Sequence, residues 1–109
     1  MSKKEIDIQN EILHYLNSNG IFAFRVNTAG VYDSEKKTYR TPGKFTMKGC
    51  SDIIGICNGR LLAIEVKSEK GILKEHQQAF IDKVNKCGGI GLIARSLKEV
   101  IDGLAKSDS

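Results

Sequence analysis

The chain has 109 residues, which predicts one domain over residues 1–109 with a core large enough to fold without disulfides. The composition, 40% hydrophobic and 28% charged, is typical of a globular protein, and no run approaches the roughly 18 apolar residues of a membrane span. A net charge of +4 suits a polyanionic partner. The polar N-terminus and three cysteines without a zinc-binding pattern favour a cytoplasmic protein with reduced, mostly buried thiols.

The first predicted element is a helix over residues 3–18, where apolar residues recur at helical spacing. Ser2 and Glu5 have the spacing of a capping box, and the following Asn-Gly pair is typical of a helix end. On a helical wheel Glu5 lies near the middle of the apolar stripe and Glu11 at its margin. Glu5 is therefore either a simple cap or a carboxylate that approaches a functional site.

A strand is predicted over residues 21–26, and a basic segment over residues 31–48 follows it. Tyr39 and Phe45 are interleaved with the basic residues, and the segment contains a predicted two-stranded ribbon. Basic side chains can contact phosphates and rings can stack on bases, so the segment is either a DNA-facing arm or an ordinary solvated loop. Its basic residues are Lys36, Lys37, Arg40, Lys44 and Lys48.

The centre of the chain is predicted to be a β-hairpin, because Asn-Gly at positions 58–59 separates two apolar runs. A two-residue turn places Asp52 opposite Glu65, with both side chains on one face of the sheet. Lys67 lies two residues further along and shares that face. The strand over residues 61–67 is apolar on both faces, so we expect both faces to be covered and its charged groups to be paired or metal-bound.

The remaining elements complete an α/β fold. A helix over residues 73–86, with Gln77 near the centre of its apolar stripe, leads to a strand over residues 90–94. Ser96 and Glu99 then form a predicted capping box that opens a helix to about residue 105. A crossover connection makes the last strand parallel to the second hairpin strand. The expected architecture is a mixed β-sheet flanked by helices on both faces.

The hairpin resembles the D…E-x-K core of the PD-(D/E)xK nuclease superfamily, and within it the virus-type replication-repair nuclease (VRR-NUC) domain. The resemblance rests on Gly49-Cys50-Ser51-Asp52, on Glu65-Val66-Lys67 and on Gln77 three residues before an aromatic residue. Ser51 stands where that family usually has proline. The similarity extends over roughly residues 5–96.

The resemblance implies a restriction-endonuclease-like core and a site that binds Mg²⁺, with Mn²⁺ as a substitute. The implied catalytic residues are Asp52, Glu65, Lys67, Gln77 and Glu5. The implied metal ligands are Asp52, Glu65, the carbonyl of Val66, and Glu5 either directly or through water. Glu11 is the alternative candidate for the acidic residue of the first helix. Arg25 and Asn27 match a family segment that lies near DNA, and they join the basic arm as DNA-binding candidates.

The expected function is that of a metal-dependent DNA endonuclease. The resemblance implies a structure-specific enzyme similar to Holliday-junction resolvases, of the stand-alone phage or prophage type. The alternatives are an inactive or accessory DNA-binding module, a flap- or single-strand-incising repair nuclease, and a scaffold domain that binds no nucleic acid. A homodimer is expected because two opposed cuts need two active sites, with the basic arm or the helix over residues 96–105 as its interface.

Overall fold

The structure, a computed structural model, describes residues 3–26, 32–33, 38–39 and 50–107. In these ranges no helix has the length and apolar character needed to cross a bilayer. Within the same residues the helices are α1 (Glu5–Ser18), α2 (Glu75–Lys86) and α3 (Leu97–Ser107), and the strands are β1 (Phe22–Arg25), β2 (Tyr32–Asp33), β3 (Thr38–Tyr39), β4 (Ile53–Cys57), β5 (Arg60–Val66) and β6 (Ile90–Ala94).

Four strands form one mixed sheet in the order β1-β4-β5-β6. The first three pair antiparallel, whereas β5 and β6 are parallel, as the crossover predicts. Cys57 pairs with Arg60 across the predicted two-residue turn, which confirms the hairpin register. Asn58 and Gly59 have φ angles of 52° and 78°, the left-handed conformations that this tight turn requires. The predicted ribbon is also confirmed, since β2 pairs with β3.

Helices pack on both faces of the sheet, which confirms the expected α/β architecture. One face carries the larger core, in which Ile12 and Leu16 of α1 and Val100 of α3 pack against the sheet. On the other face α2 packs on β5 and β6, with Ile81 and Val84 against Ala63. The apolar stripe of α3 therefore faces its own sheet, and only Ile101 of that stripe is exposed.

The expectation that both faces of the hairpin are covered is wrong at one end. Ile56 and Leu61 are about half exposed, whereas Ala63 and Ile64 are fully buried. The difference arises because α2 packs on β5 and β6 and leaves the turn end of the hairpin open on that face. Apolar sequence on both strand faces does not reveal how far a covering helix reaches.

Helix starts were the least accurate predictions. Helix α1 begins at Glu5 with Lys4 as its N-cap residue, so Glu5 is the first helical residue instead of the third. Ser2, the predicted cap, lies outside the described residues. Helix α2 begins at Glu75, two residues later than predicted. At α3 the predicted cap is present, because the Glu99 amide donates to Ser96 Oγ at 3.3 Å. All three cysteines are free, but the expectation that they are mostly buried is wrong, since Cys50 and Cys57 are only partly buried and Cys87 is exposed.

Candidate active site

Asp52 lies directly before β4 and is fixed by the backbone of both neighbouring strands. The Val66 amide donates to Asp52 Oδ2 at 2.8 Å, and the Val26 amide donates to the Asp52 carbonyl at 2.8 Å. The first bond holds the carboxylate against the end of β5. The second closes the sheet between β1 and β4 beyond the last regular pair. A backbone donor that faces one carboxylate oxygen leaves the rest of the group available to a neighbour or a ligand.

Glu65, near the end of β5, meets Asp52 as the hairpin register predicts. Its side chain is only 3% exposed. Burial, followed by the charge of Asp52 and a hydrogen bond with it, raises the pKa of Glu65 to about 8; the charge of Lys67 opposes this rise and that of Glu5 adds to it. At neutral pH the Glu65 carboxyl of the metal-free protein therefore keeps its proton, beside the Asp52 side chain with which it is hydrogen-bonded.

Gln77 connects the carboxylate pair to the start of α2. Its Oε1 accepts from the Lys74 amide at 2.9 Å and its Nε2 donates to Glu65 Oε1 at 3.0 Å. The backbone donor fixes which end of the amide is oxygen, so the NH₂ group must face Glu65. Gln78 is engaged elsewhere, since its Nε2 donates to Asp82 on the outer side of the helix. Of the two neighbouring glutamines, Gln77 is the one at the site.

Lys67 is the third charged group at this end of the sheet. Its amide donates to the Ala94 carbonyl at 3.0 Å, which extends the pairing of β5 with β6 by one residue. Side chains alternate along a strand, so Lys67 shares the α2 face with Glu65. The residue is 9% exposed, and its charge acts on the pKa of Glu65. The charge of Lys67 therefore offsets part of the negative charge of the carboxyl pair at this end of the sheet.

The first helix contributes Glu5 and not Glu11. The charge of Glu5 raises the pKa of Glu65, so the N-terminus of α1 lies within electrostatic range of the pair. Glu11 is instead hydrogen-bonded to Lys3 at the protein surface. The sequence left both carboxylates as candidates, and the ion pair with Lys3 separates them.

Arg25 is attached to α1 by two side-chain bonds that the sequence did not reveal. Its Nε donates to Gln9 Oε1 at 2.8 Å, and its Nη2 donates to Asn10 Oδ1. Gln9 is 7% exposed, so its amide oxygen is buried against the guanidinium. Arg25 thus orients α1 on the edge of the sheet. The side chain of Arg25 is still exposed, and it belongs to the last residue of β1, ahead of the basic segment.

Ser51 and Cys50 complete the approach to Asp52. Ser51 is fully buried, and its Oγ donates to the Ile53 carbonyl at 3.0 Å. This local bond fixes the bend through which the chain enters β4. Burial raises the pKa of the Cys50 thiol, an effect that hydrogen bonds with Ser51 oppose. A hydroxyl-bearing residue directly before an aspartate was the available signal for such a turn.

The site offers two carboxylate side chains, Asp52 and Glu65, as ligands for a hard divalent cation. Among residues 3–26 and 50–107 no three His, Cys, Asp or Glu side chains form a metal-binding group, so Asp52 and Glu65 act as a pair. Mg²⁺ is commonly held by one or two carboxylates, with water and substrate oxygens in its other positions. A buried carboxyl whose pKa is about 8 is the state expected when no cation compensates its charge.

The remaining predicted DNA-binding residues, Asn27 and the five basic residues of the arm, lie outside the described residues. Comparison of the sequence with known protein families and with curated proteins finds no match. The geometry of the site is therefore the basis for any statement about function.

Proposed function

We propose that this chain is a metal-dependent endonuclease that hydrolyses phosphodiester bonds in DNA, with a restriction-endonuclease-like core similar to that of the VRR-NUC domain. The observation that carries the proposal is the buried Asp52–Glu65 pair with Lys67 beside it at one end of the sheet. The net charge of +4 and the basic segment between β1 and β4 are consistent with a DNA substrate. Branched DNA is the substrate that the family resemblance favours.

The ligand residues would be Asp52 and Glu65, with the Val66 carbonyl and Glu5 as further candidates. A bound Mg²⁺ or Mn²⁺ would neutralise phosphate charge and lower the pKa of a bound water. Glu65 must lose its proton before both carboxylates can act as ligands, because a protonated oxygen is a poor donor to a cation. Metal affinity should therefore rise with pH up to about 8.

The chain's own groups position the reaction. The Val66 amide holds Asp52, and the Gln77 amide holds Glu65, so neither carboxylate has to be ordered when substrate arrives. Lys67 provides a buried positive charge that can orient the attacking water or stabilise charge developing on the phosphate. The lysine side chain carries a compact charge with three rotatable donors, which suits this electrostatic role.

The direct test is incubation of the chain with four-way-junction, flapped, single-stranded and plain duplex DNA, with Mg²⁺, Mn²⁺ or a chelator. We expect cleavage that requires metal and that Glu65→Gln or Asp52→Asn abolishes. Glu69→Gln is the matched control, because it removes one carboxylate from an exposed turn beyond Lys67. Cleavage by this control at the wild-type rate would show that loss of charge alone does not inactivate the protein.

Three results would redirect the proposal. Wild-type cleavage rates in both carboxylate variants would exclude the pair as the active site. Salt-dependent DNA binding without metal-dependent cleavage would identify an inactive DNA-binding module. Cleavage confined to flaps or single strands would identify a repair-type nuclease. Binding is measured separately by fluorescence anisotropy in chelator, so that a folded but inactive protein is recognised.

A further inference from the structure

Four apolar side chains form an exposed patch on the α2 face of the sheet. Phe22 pairs with Ile56, and Ile56 pairs with Leu61, so these three lie in one row across β1, β4 and β5. Phe24 lies two residues along on the same face, with its ring centroid 5.5 Å from that of Phe22. The exposed fractions are 64% for Phe22, 45% for Phe24, 54% for Ile56 and 46% for Leu61.

The patch is open because α2 is fixed over the other half of the sheet. A Cβ atom on Gly91 of β6 would lie 2.7 Å from the Ile81 carbonyl, so glycine allows the helix to approach β6 closely. The Asn85 side chain then bonds both the amide and the carbonyl of Gly91, at 2.8 and 3.1 Å. Helix α2 consequently cannot shift over β1 and β4 without breaking these bonds.

A groove adjoins the patch on the side away from β1. It lies between β5 and α2, has a volume of about 500 Å³, and is lined by Leu61, Phe80 and Val84 among others. The projecting Phe22–Phe24 pair and the groove thus stand on opposite sides of Ile56. A surface with a projection on one side and a matching recess on the other can pair with a copy of itself, because a two-fold axis exchanges the two sides.

We propose that a second copy of this chain covers the patch, with the two-fold axis running parallel to β4 above Ile56. This axis lays the phenylalanines of each copy against the groove of the other. The four side chains expose roughly 400 Å² of apolar surface, about half of the roughly 800 Å² that each partner buries in a stable interface, and the groove walls add to it. The four patch residues are uncharged, whereas the groove walls include Arg60 and Lys83, so the apolar contact must outweigh the repulsion between two chains of net charge +4.

The proposal replaces one of the two interfaces expected from the sequence, the helix over residues 96–105; most of the other, the basic arm, lies outside the described residues. The apolar stripe of α3 packs on its own sheet and is not available, whereas the α2-face patch is. Asp52 and Glu65 lie on the same face, further along the strands, and an axis parallel to the strands keeps both pairs at one end of the dimer. This arrangement of two active sites rests on the nuclease proposed above; the interface itself does not.

Sedimentation equilibrium at 1–100 µM tests the interface. We expect a wild-type mass of about 24 kDa, twice the 12.0 kDa chain, and dimerisation weakened at least about 30-fold in Ile56→Glu. Ile72→Glu is the matched control, since Ile72 is 82% exposed and lies outside the patch, and it should stay dimeric. Circular dichroism and thermal melting establish that each variant is folded.

A charge-pairing experiment makes the test specific to this surface. Ile56 lies at the centre of the proposed interface and would meet its own counterpart, so Ile56→Glu and Ile56→Lys should each be monomeric and should form a heterodimer when mixed. A wild-type monomer at 100 µM, a dimeric Ile56→Glu protein or a mixture that stays monomeric would overturn the proposal.

Cleavage assays separate this proposal from the nuclease. Monomeric Ile56→Glu should still nick DNA in a metal-dependent way, but its two cuts in a four-way junction should become independent. A dimer without nuclease activity would leave the interface standing and refute the proposed function. Paired cuts that survive in monomeric Ile56→Glu would leave the interface standing and refute its role in coordinating the two active sites.

Discussion

The raised pKa of Glu65 predicts a specific dependence of stability on pH. In the unfolded chain this carboxyl ionises near its ordinary value of 4.5, whereas burial and the neighbouring Asp52 raise its pKa to about 8 in the folded protein. The folded state therefore binds the proton more tightly, and the resulting stabilisation is complete below pH 4.5. It is lost progressively as the pH rises from 4.5 to about 8, because the folded protein must then hold both carboxyls ionised.

The magnitude follows from the same values. A rise in pKa from 4.5 to about 8 corresponds to about 5 kcal/mol at roughly 1.4 kcal/mol for each tenfold change in affinity. Water and counter-ions can reach the pair when both groups ionise, since the site lies at the end of the sheet. We therefore expect about half of that value, ~2–3 kcal/mol, as the difference between wild type and Glu65→Gln.

The measurement is urea denaturation of wild type and Glu65→Gln at pH 5, 6.5, 8 and 9 in chelator. The two proteins should have similar free energies of unfolding at pH 5, and the variant should be the more stable by ~2–3 kcal/mol at pH 9. Other titrating groups cancel in the comparison, and Glu69→Gln controls for loss of an exposed carboxylate. Curves for wild type and Glu65→Gln that run parallel from pH 5 to 9 would refute the reasoning, because Glu65 would then ionise as it does in the unfolded chain.

Three further predictions concern Lys67, Gln77 and the basic segment. Lys67→Met should lower the turnover rate about 10²–10³-fold, whereas DNA affinity, measured by anisotropy in chelator, should change little. An equal loss of rate and affinity would instead make Lys67 a simple phosphate contact. Gln77→Ala should lower the free energy of unfolding in urea by about 1 kcal/mol, because the cap of α2 is removed. Gln77→Glu should keep the cap but raise the pH at which metal activates the protein. Alanine at the basic residues of segment 36–48 should make the slope of log K for DNA binding against log salt concentration less negative, by about 0.9 for each phosphate that the arm no longer neutralises. Lys98→Ala is the control and should leave this slope unchanged.

The part of the site that depends on strand register was predictable. Asn58 and Gly59 specify a two-residue turn, and the turn alone decides which residues oppose one another along the hairpin. The meeting of Asp52 and Glu65 follows from that register without knowledge of any other element. The parallel pairing of β5 with β6 was also predictable, because a strand, a helix and a strand in sequence favour that connection.

The parts that depend on packing between distant elements were not predictable. Lys74 is an unusual N-cap residue, and α2 begins after it because Gln77 returns to the Lys74 amide while it also holds Glu65. The family resemblance implies that Arg25 lies near DNA, but it does not reveal that the guanidinium donates to Gln9 and Asn10 of a helix that precedes it. In both cases a local pattern is completed by a side chain whose position only the tertiary structure specifies.

The energetics of the carboxylate pair argue against a purely structural role. A structural link between the ends of β4 and β5 would be better provided by one carboxylate and one side-chain amide, because the amide N–H donates to the carboxylate and neither group has to hold an acidic proton. Instead the chain buries Glu65 at 3% exposure directly beside Asp52, an arrangement that becomes more unfavourable as the pH rises. A cation of charge +2 removes that cost, and the same cation can bind a phosphate oxygen. Stabilisation of wild type by millimolar Mg²⁺ at pH 8, absent in Glu65→Gln, would demonstrate this compensation without any assay of cleavage.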